Sequence, residues 1–206
     1  MASQNKRFIA NIVSDENAYL PLIASIISSD RNPVNILDFG GGMGISFIHL
    51  LSCAPNADAI HYYIVENSAV VALGRQLFPN SKIHFLTELP SQQIKFNLVY
   101  HSSSLQYNEN YSALIDKLCQ YQPEYILFVK LSAGEIPTYA TCQRNLGGTK
   151  IAYWFLNVFE IEAILNKNGY SLIFKNALGR EYNQDNFPEN YRLHKAINLL
   201  FRKNAE

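Results

Sequence analysis

The stretch NILDFGGGMGISF, residues 35–47, sets four glycines into five positions directly behind an acidic residue and a short apolar run. Glycine reaches backbone angles that a Cβ forbids and lets a ligand lie against bare amides. One glycine would serve a tight strand-to-helix turn, so four ask for more than a turn. Outward from this stretch the hydrophobic period alternates. Val34 to Phe39 reads as an apolar strand, and Ile45 to Cys53 as a helix that Pro55-Asn56 closes. His61 to Glu66 is a second strand, Ser68 to Phe78 a second helix, and Pro79-Asn80-Ser81 a turn. Lys82 to Thr87 and Asn97 to Ser103 read as strands, Glu109 to Gln120 as a helix, and Tyr125 to Leu131 as the fifth strand. A glycine-bearing irregular region, Ser132 to Tyr153, comes next. A helix from Val158 to Lys167 then ends at Asn168-Gly169, and the last strands are Ser171 to Lys175 and Arg192 to Phe201. Upstream, Ser14 caps a helix through about Ser29, with an apolar stripe of Leu20, Ile23 and Ile27 flanked by Leu22 and Ile26.

Strands this apolar, separated by helix-length segments, suit a sheet buried on both faces. The expectation is an α/β fold: doubly wound and Rossmann-like, with a mostly parallel seven-stranded sheet and helices on both faces. The 206 residues suit a single domain over 1–206, with 1–30 as an N-terminal helical extension and 132–156 as an acceptor loop or lid. Hydrophobic residues make up 48% and charged ones 17%, and no run reaches the roughly 18 apolar residues of a membrane span. The N-terminus has no apolar core of a signal peptide, so a cytoplasmic protein is expected. Cys53, Cys119 and Cys142 are an odd number at wide spacings, which fits packing thiols and neither a disulfide framework nor a metal knuckle. Formal charge is zero and no Lys/Arg cluster exceeds a pair, which disfavours nucleic acid as a partner. No motif sets an oligomeric state.

The glycines fall at the carboxyl end of the first strand, where open α/β sheets bind ligands and where a helix N-terminus offers unpaired N–H groups. The dinucleotide fingerprint G-x-G-x-x-G fails, because its third position is Ile45 counted from Gly40 and Phe47 counted from Gly42. A P-loop fails too, since Ile45-Ser46 follows Gly44 in place of Lys-Ser/Thr. What remains, Asp38-x-Gly40-x-Gly42-x-Gly44 with Gly41 between, resembles motif I of the class I S-adenosylmethionine-dependent methyltransferases. That resemblance implies S-adenosylmethionine as cofactor, S-adenosylhomocysteine as product, and an acid after the second strand holding both ribose hydroxyls. Glu66 stands 28 positions after Asp38 and ends HYYIVE; it reads otherwise as a solvated strand end. Thr87 and Glu88 fall where the family contacts adenine, and Ser102 and Ser103 in its turn after the fourth strand. Many members begin that strand with Asp, whereas this chain has Asn97. The runs DFGGGMG, YYIVE and SSSLQY, with Gln143, Tyr153-Trp154 and Asn168-Gly169-Tyr170, also resemble a family of bacterial methyltransferase-like proteins encoded among surface-polysaccharide genes.

Such a site aligns an acceptor lone pair behind the activated methyl group, so positioning is the main demand. An oxygen acceptor also loses a proton, and a histidine with pKa near 7 is the usual base. His101 follows the fourth strand in this reading and is the candidate, with a local hydrogen bond in the turn as the other account. Gln106 and Tyr107 can bond a polar acceptor, although Tyr107 suits a core position equally well. Tyr139, Gln143, Arg144, Tyr153 and Trp154 lie in the irregular region, and their rings and amides suit a sugar. The expected partner is a small-molecule acceptor, with no metal. Two rival readings stand beside this one. The first is a nicotinamide-dependent oxidoreductase, for which Glu66 would serve as well; the second is a non-catalytic scaffold in a biosynthetic complex.

Overall fold

The computed structural model describes residues 17–79, 82–145, 148–178 and 182–205. Contacts gather into two compact units, Met1–Tyr100 and His101–Glu206. The first carries α1 (Tyr19–Asp30), β1 (Val34–Phe39), α2 (Ile45–Cys53), β2 (Ile60–Val65), α3 (Ser68–Leu77), β3 (Ile83–Leu86) and the start of β4 (Leu98–Ser102). The second carries α4 (Tyr111–Cys119), β5 (Tyr125–Leu131), β6 (Ala133–Gly134), β7 (Tyr139–Arg144), β8 (Lys150–Asn157), α5 (Val158–Lys167), β9 (Tyr170–Ala177) and β10 (Ile197–Lys203). The seven-stranded sheet has the order β3-β2-β1-β4-β5-β10-β9. It is mostly parallel, and β10 runs antiparallel to both β5 and β9.

β1 is central because it is apolar on both faces. Val34, Ile36 and Leu37 are buried, and β2 and β4 flank the strand with Asp38 opposite Ile64 and Tyr100. The chain leaves β1 toward β2 and β3 and returns to the other side with β4, so the carboxyl end of β1 is a topological switch point. Asparagines fix two helix starts by accepting from orphan amides. Asn67 caps α3 through Val70 N at 3.2 Å, and Asn157 caps α5 through Phe159 N at 2.8 Å and Glu160 N at 3.2 Å. Gly169, at φ +82°, ends α5.

The bounds of β1, α2, β5 and α5 coincide with those expected from periodicity, while the proposed cap at Ser14 and the turn at Asn80-Ser81 lie outside the described residues. Two elements differ from expectation. In α1 the inward stripe is Leu20, Ala24 and Ile27, and Leu22 and Ile26 face solvent, because the strict i, i+4, i+7 spacing selects the alanine. Residues 132–153 are not irregular: β6, β8 and β7 form a second, three-stranded sheet in that order, with β7 and β8 antiparallel. β7 alternates Tyr139, Thr141 and Gln143, half-buried, with Ala140, Cys142 and Arg144, exposed. Both sets include polar residues, so the two-residue period carries little hydrophobic contrast. Among the described residues no helix is long and apolar enough to cross a membrane.

Gly74 lies inside α3, where alanine would ordinarily gain up to about 1 kcal/mol. Here a Cβ would stand 2.3 Å from Cε1 of Phe85. Gly74→Ala is therefore expected to destabilise the protein by roughly 1–3 kcal/mol in urea unfolding, against its helix propensity. Phe85→Leu in the same chain should recover most of the loss.

Candidate functional site

The turn after β1 is built from its glycines one by one. Gly40 N donates to Val65 O at 2.9 Å and so extends the parallel ladder one residue past the strand. Gly40, Gly42 and Gly44 have φ of +75°, +58° and +87°, and Gly44 is the N-cap of α2. At Gly41 the constraint is space, because a Cβ would lie 2.3 Å from Oδ2 of Asp38. All four glycines thus have local reasons, where a single one was expected to satisfy the turn. At Gly42 a Cβ would have no atom within 4 Å, so its bare backbone faces open space beside the exposed Met43 and Ile45.

Beneath the turn Asp38 is fully buried, and its Oδ2 accepts a hydrogen bond from the Tyr62 hydroxyl at 2.6 Å. Oδ1 has no partner among the described residues. Burial raises the Asp38 carboxyl to about 7; the Tyr62 bond opposes the shift and the nearby Glu66 charge adds to it. Burial likewise pushes the Tyr62 hydroxyl well above its ordinary value. Glu66 is the first residue after β2 and is half-buried. Its Oε2 accepts from Asn67 N at 2.9 Å and Asn67 Nδ2 at 3.0 Å, whereas Oε1 makes no hydrogen bond among the described residues. The sequence suggested two oxygens facing outward; one is committed to the cap of α3. Thr87 and Glu88 follow β3 and are exposed.

In the second unit His101 departs from expectation. It lies within β4, not beyond it, is 1% exposed, and stacks on Phe128 with ring centroids 5.3 Å apart. Nδ1 lies 3.1 Å from Ser104 Oγ. Burial drives its pKa down to about 3, so the imidazole is neutral at physiological pH and too weakly basic to give an inflection near pH 6.5. Ser102 ends β4, and Ser103 follows at φ +53° with its N–H on Val129 O at 3.0 Å. Leu105–Tyr107 form one 3-10 turn. Gln106 there is 1% exposed with no partner for Oε1 among the described residues, a deficit of about 1–3 kcal/mol that a donor would relieve. Tyr107 is exposed, donates to Gln143 Oε1 at 2.8 Å, and packs edge-on against Tyr153.

The remaining candidates separate in the small sheet. Gln143 and Tyr153 line a cavity of about 200 Å³. Tyr139 does not; its hydroxyl is saturated by Tyr191 O at 2.8 Å and Gln184 Nε2 at 2.9 Å. Arg144 is exposed at the hairpin end, and Trp154 is half-buried on the strand face opposite Tyr153 and Phe155. Sequence reasoning passed over the rest of the wall: Thr141, Cys142 and Phe155 on the strands, and a segment with Tyr182, Asn183, Gln184 and Phe187. The last four belong together. Their signal is the aromatic and amide run YNQDNF, residues 182–187, in a stretch without periodicity.

No protein-family model matches the sequence, and no curated protein matches it. Solved structures share the fold. A SAM-dependent methyltransferase from Methanosarcina mazei aligns with TM-score 0.61 at 13% identity, over 88% of this chain and 98% of its own. The magnesium protoporphyrin IX methyltransferase of Synechocystis, solved with bound S-adenosylhomocysteine, gives 0.56 at 15% identity over 91% and 83%. A 1,6-didemethyltoxoflavin-N1-methyltransferase from Burkholderia thailandensis, holding 1,6-didemethyltoxoflavin and S-adenosylhomocysteine, gives 0.56 at 14% identity over 93% and 80%. At these identities the likeness establishes the fold.

Two of the buried titratable groups, Asp38 and His101, act oppositely on stability. Asp38 moves from an ordinary 3.8 to about 7 on folding, so the folded state holds one extra proton between those values and loses stability as pH rises from about 4 to 7. His101 moves from 6.5 to about 3, so the folded state holds one fewer, and stability rises with pH over about 3 to 6.5. The slopes, each at most about 1.4 kcal/mol per pH unit, offset one another in the parent. Urea unfolding from pH 4.5 to 6.5 is expected to show rising stability in Asp38→Asn and falling stability in His101→Leu. The same slope in parent and both variants would refute the assignment.

Proposed function

We propose that the chain transfers a methyl group from S-adenosylmethionine to a small polar acceptor, a sugar or nucleotide sugar of surface-polysaccharide synthesis. The observation that carries this reading is the bare Gly42 turn beside Glu66, at neighbouring strand ends, in a fold shared with methyltransferases of known structure. The residues fit the cofactor chemically. Backbone amides of the Gly40–Gly44 turn between its two bonded ends, Gly41 to Met43, receive its amino-acid end, Glu66 Oε1 accepts from a ribose hydroxyl, and exposed Thr87 and Glu88 border the base. When bound, that cofactor supplies a sulfonium-activated methyl group. The protein's share is then alignment, which at well-ordered sites contributes about 7–11 kcal/mol.

On the second unit, Gln106 and Tyr107 are the orienting groups for the acceptor, through the unpaired Gln106 Oε1 and the Tyr107 hydroxyl. His101 is not the general base in this reading. Its neutral ring supports the strand end through Phe128 and Ser104.

Calorimetry with S-adenosylhomocysteine tests the proposal on the full chain. One-site binding is expected, with no heat from NAD. Glu66→Ala should weaken binding by one to two decades, because losing a hydrogen bond to a charged group costs about 1.5–3 kcal/mol. Gly42→Val, which fills the open face of the turn, should abolish it in protein whose circular dichroism is unchanged. Heat from NAD with none from S-adenosylhomocysteine would mark an oxidoreductase, and heat from neither a scaffold. With sugar nucleotides as acceptors in a homocysteine-release assay, Tyr107→Phe should slow turnover while leaving S-adenosylhomocysteine affinity within about threefold.

A further inference from the structure

The cavity in the second unit has a lining that selects its own ligand. Tyr153, Phe155, Tyr182 and Phe187 supply ring faces, and among the described lining residues none is charged. The rings do not sandwich anything flat. Tyr153 and Phe155 stand at 57° to each other and Phe155 and Tyr182 at 80°, so their faces meet as corners. Such corners suit a bulky, non-planar ring whose C–H groups rest on the negative aromatic faces. At about 200 Å³ the space falls below the 300–1,000 Å³ typical of drug-sized ligands, which restricts it to one ring.

Polar groups in the wall are already oriented. Gln184 is spent internally, with Nε2 on Tyr139 and Oε1 accepting from Leu193 N at 2.6 Å. Gln143 is half spent. Its Oε1 accepts from Tyr107, which fixes the amide and leaves Nε2 as a donor without a hydrogen bond among the described residues. A neutral amide donor beside electron-rich ring faces, with no cation in the wall, favours an uncharged oxygen over a carboxylate, which the faces repel, and over a purely apolar ligand. The wall is also continuous with Tyr107, whose ring stands edge-on to Tyr153 at 5.3 Å.

We infer that this cavity is a binding site for a single uncharged, hydroxyl-bearing saturated ring, one monosaccharide unit, held by the aromatic corner and by Gln143 Nε2. That it holds the methyl acceptor rests on the methyl-transfer reading; that it binds such a ring does not. It narrows the acceptor to a group presenting a neutral sugar ring, with any phosphate or nucleotide portion outside the cavity.

Saturation-transfer NMR on the full chain, without cofactor, tests this with methyl α-glucopyranoside and glucuronic acid at pH 7. The neutral glycoside should bind in the millimolar range, and the acid at least tenfold more weakly. Phe187→Ala should remove the signal, and Gln143→Leu, on a half-exposed strand position where folding is not at stake, should weaken binding about fivefold. No transfer to the glycoside, or transfer unchanged in both variants, overturns the site; equal binding of the acid overturns the ligand class. Calorimetry with S-adenosylhomocysteine on the same sample separates the two readings. Heat without glycoside binding removes the cavity proposal alone, and glycoside binding without heat upholds the cavity while removing its role as acceptor site.

Discussion

A carboxyl group buried without a countercharge organises the end of the central strand. Asp38 is placed inside by the flanking strands, since its neighbours Ile36 and Leu37 must be buried and the strand is covered on both faces. Taking that group out of water is costly, and the fold meets the cost by keeping its proton to about pH 7 and giving Oδ2 to Tyr62. The glycine turn then closes over it at a distance that no Cβ at residue 41 allows. Gly42 faces outward because Gly41 is pressed inward. The open surface of the turn follows from what lies beneath it.

The second unit stores its constraint in the backbone. Ser103 and Lys130 hold φ of +53° and +55°, and each costs on the order of 1 kcal/mol or more for a residue with a side chain. They lie at the ends of β4 and β5, where Ser103 N donates to Val129 O. The Lys130 N–H is held by Oδ1 of the buried Asn198 at 2.8 Å, and Asn198 Nδ2 is tied in turn to Asn176 Oδ1. Where β10 pairs with β5 its register also shifts, between Ile197 and Leu199. Strain at strand ends, fixed by a buried amide chain, is what a rigid binding edge requires, and it explains why β10 carries an asparagine in an otherwise apolar buried run.

What the sequence disclosed follows the range of the interactions involved. The βα units, the glycine turn and Glu66 are signalled within a few residues: an apolar run, a breaker and a charge at a strand end. Asn67 shows where that stops. It caps α3 and takes one oxygen of Glu66, and nothing local distinguishes a carboxylate facing a ligand from one sharing its oxygens with a cap. His101 was misjudged for a related reason. The run Asn97 to Ser103 already enclosed it, so what was not legible was its cover: Phe128, which stacks on the ring, is 27 positions away. The small sheet escaped because β7 carries polar residues on both faces, so that Asn145 and the pair Gly147-Gly148 mark a turn in the sequence with no hydrophobic alternation beside it.

The small sheet shows how much a single polar side chain can determine across long separations. Gln184 is nearly fully buried, 45 positions from Tyr139 and 9 from Leu193, and it hydrogen-bonds both. Tyr139 then reaches Tyr191 O, so one amide fixes a strand of the small sheet, the 182–187 wall and the segment leading into β10 together. Removing its side chain would leave the buried Leu193 N–H without its acceptor, at a cost of about 1–3 kcal/mol, and the half-buried Tyr139 hydroxyl with Tyr191 O alone. A ligand-facing glutamine would have been free to vary its contacts; this one cannot. In the ring site inferred for this cavity, the contacts to a ligand fall to Gln143 and the aromatic corner. The shape they occupy belongs to Gln184, which touches the cavity and is already fully committed to the protein.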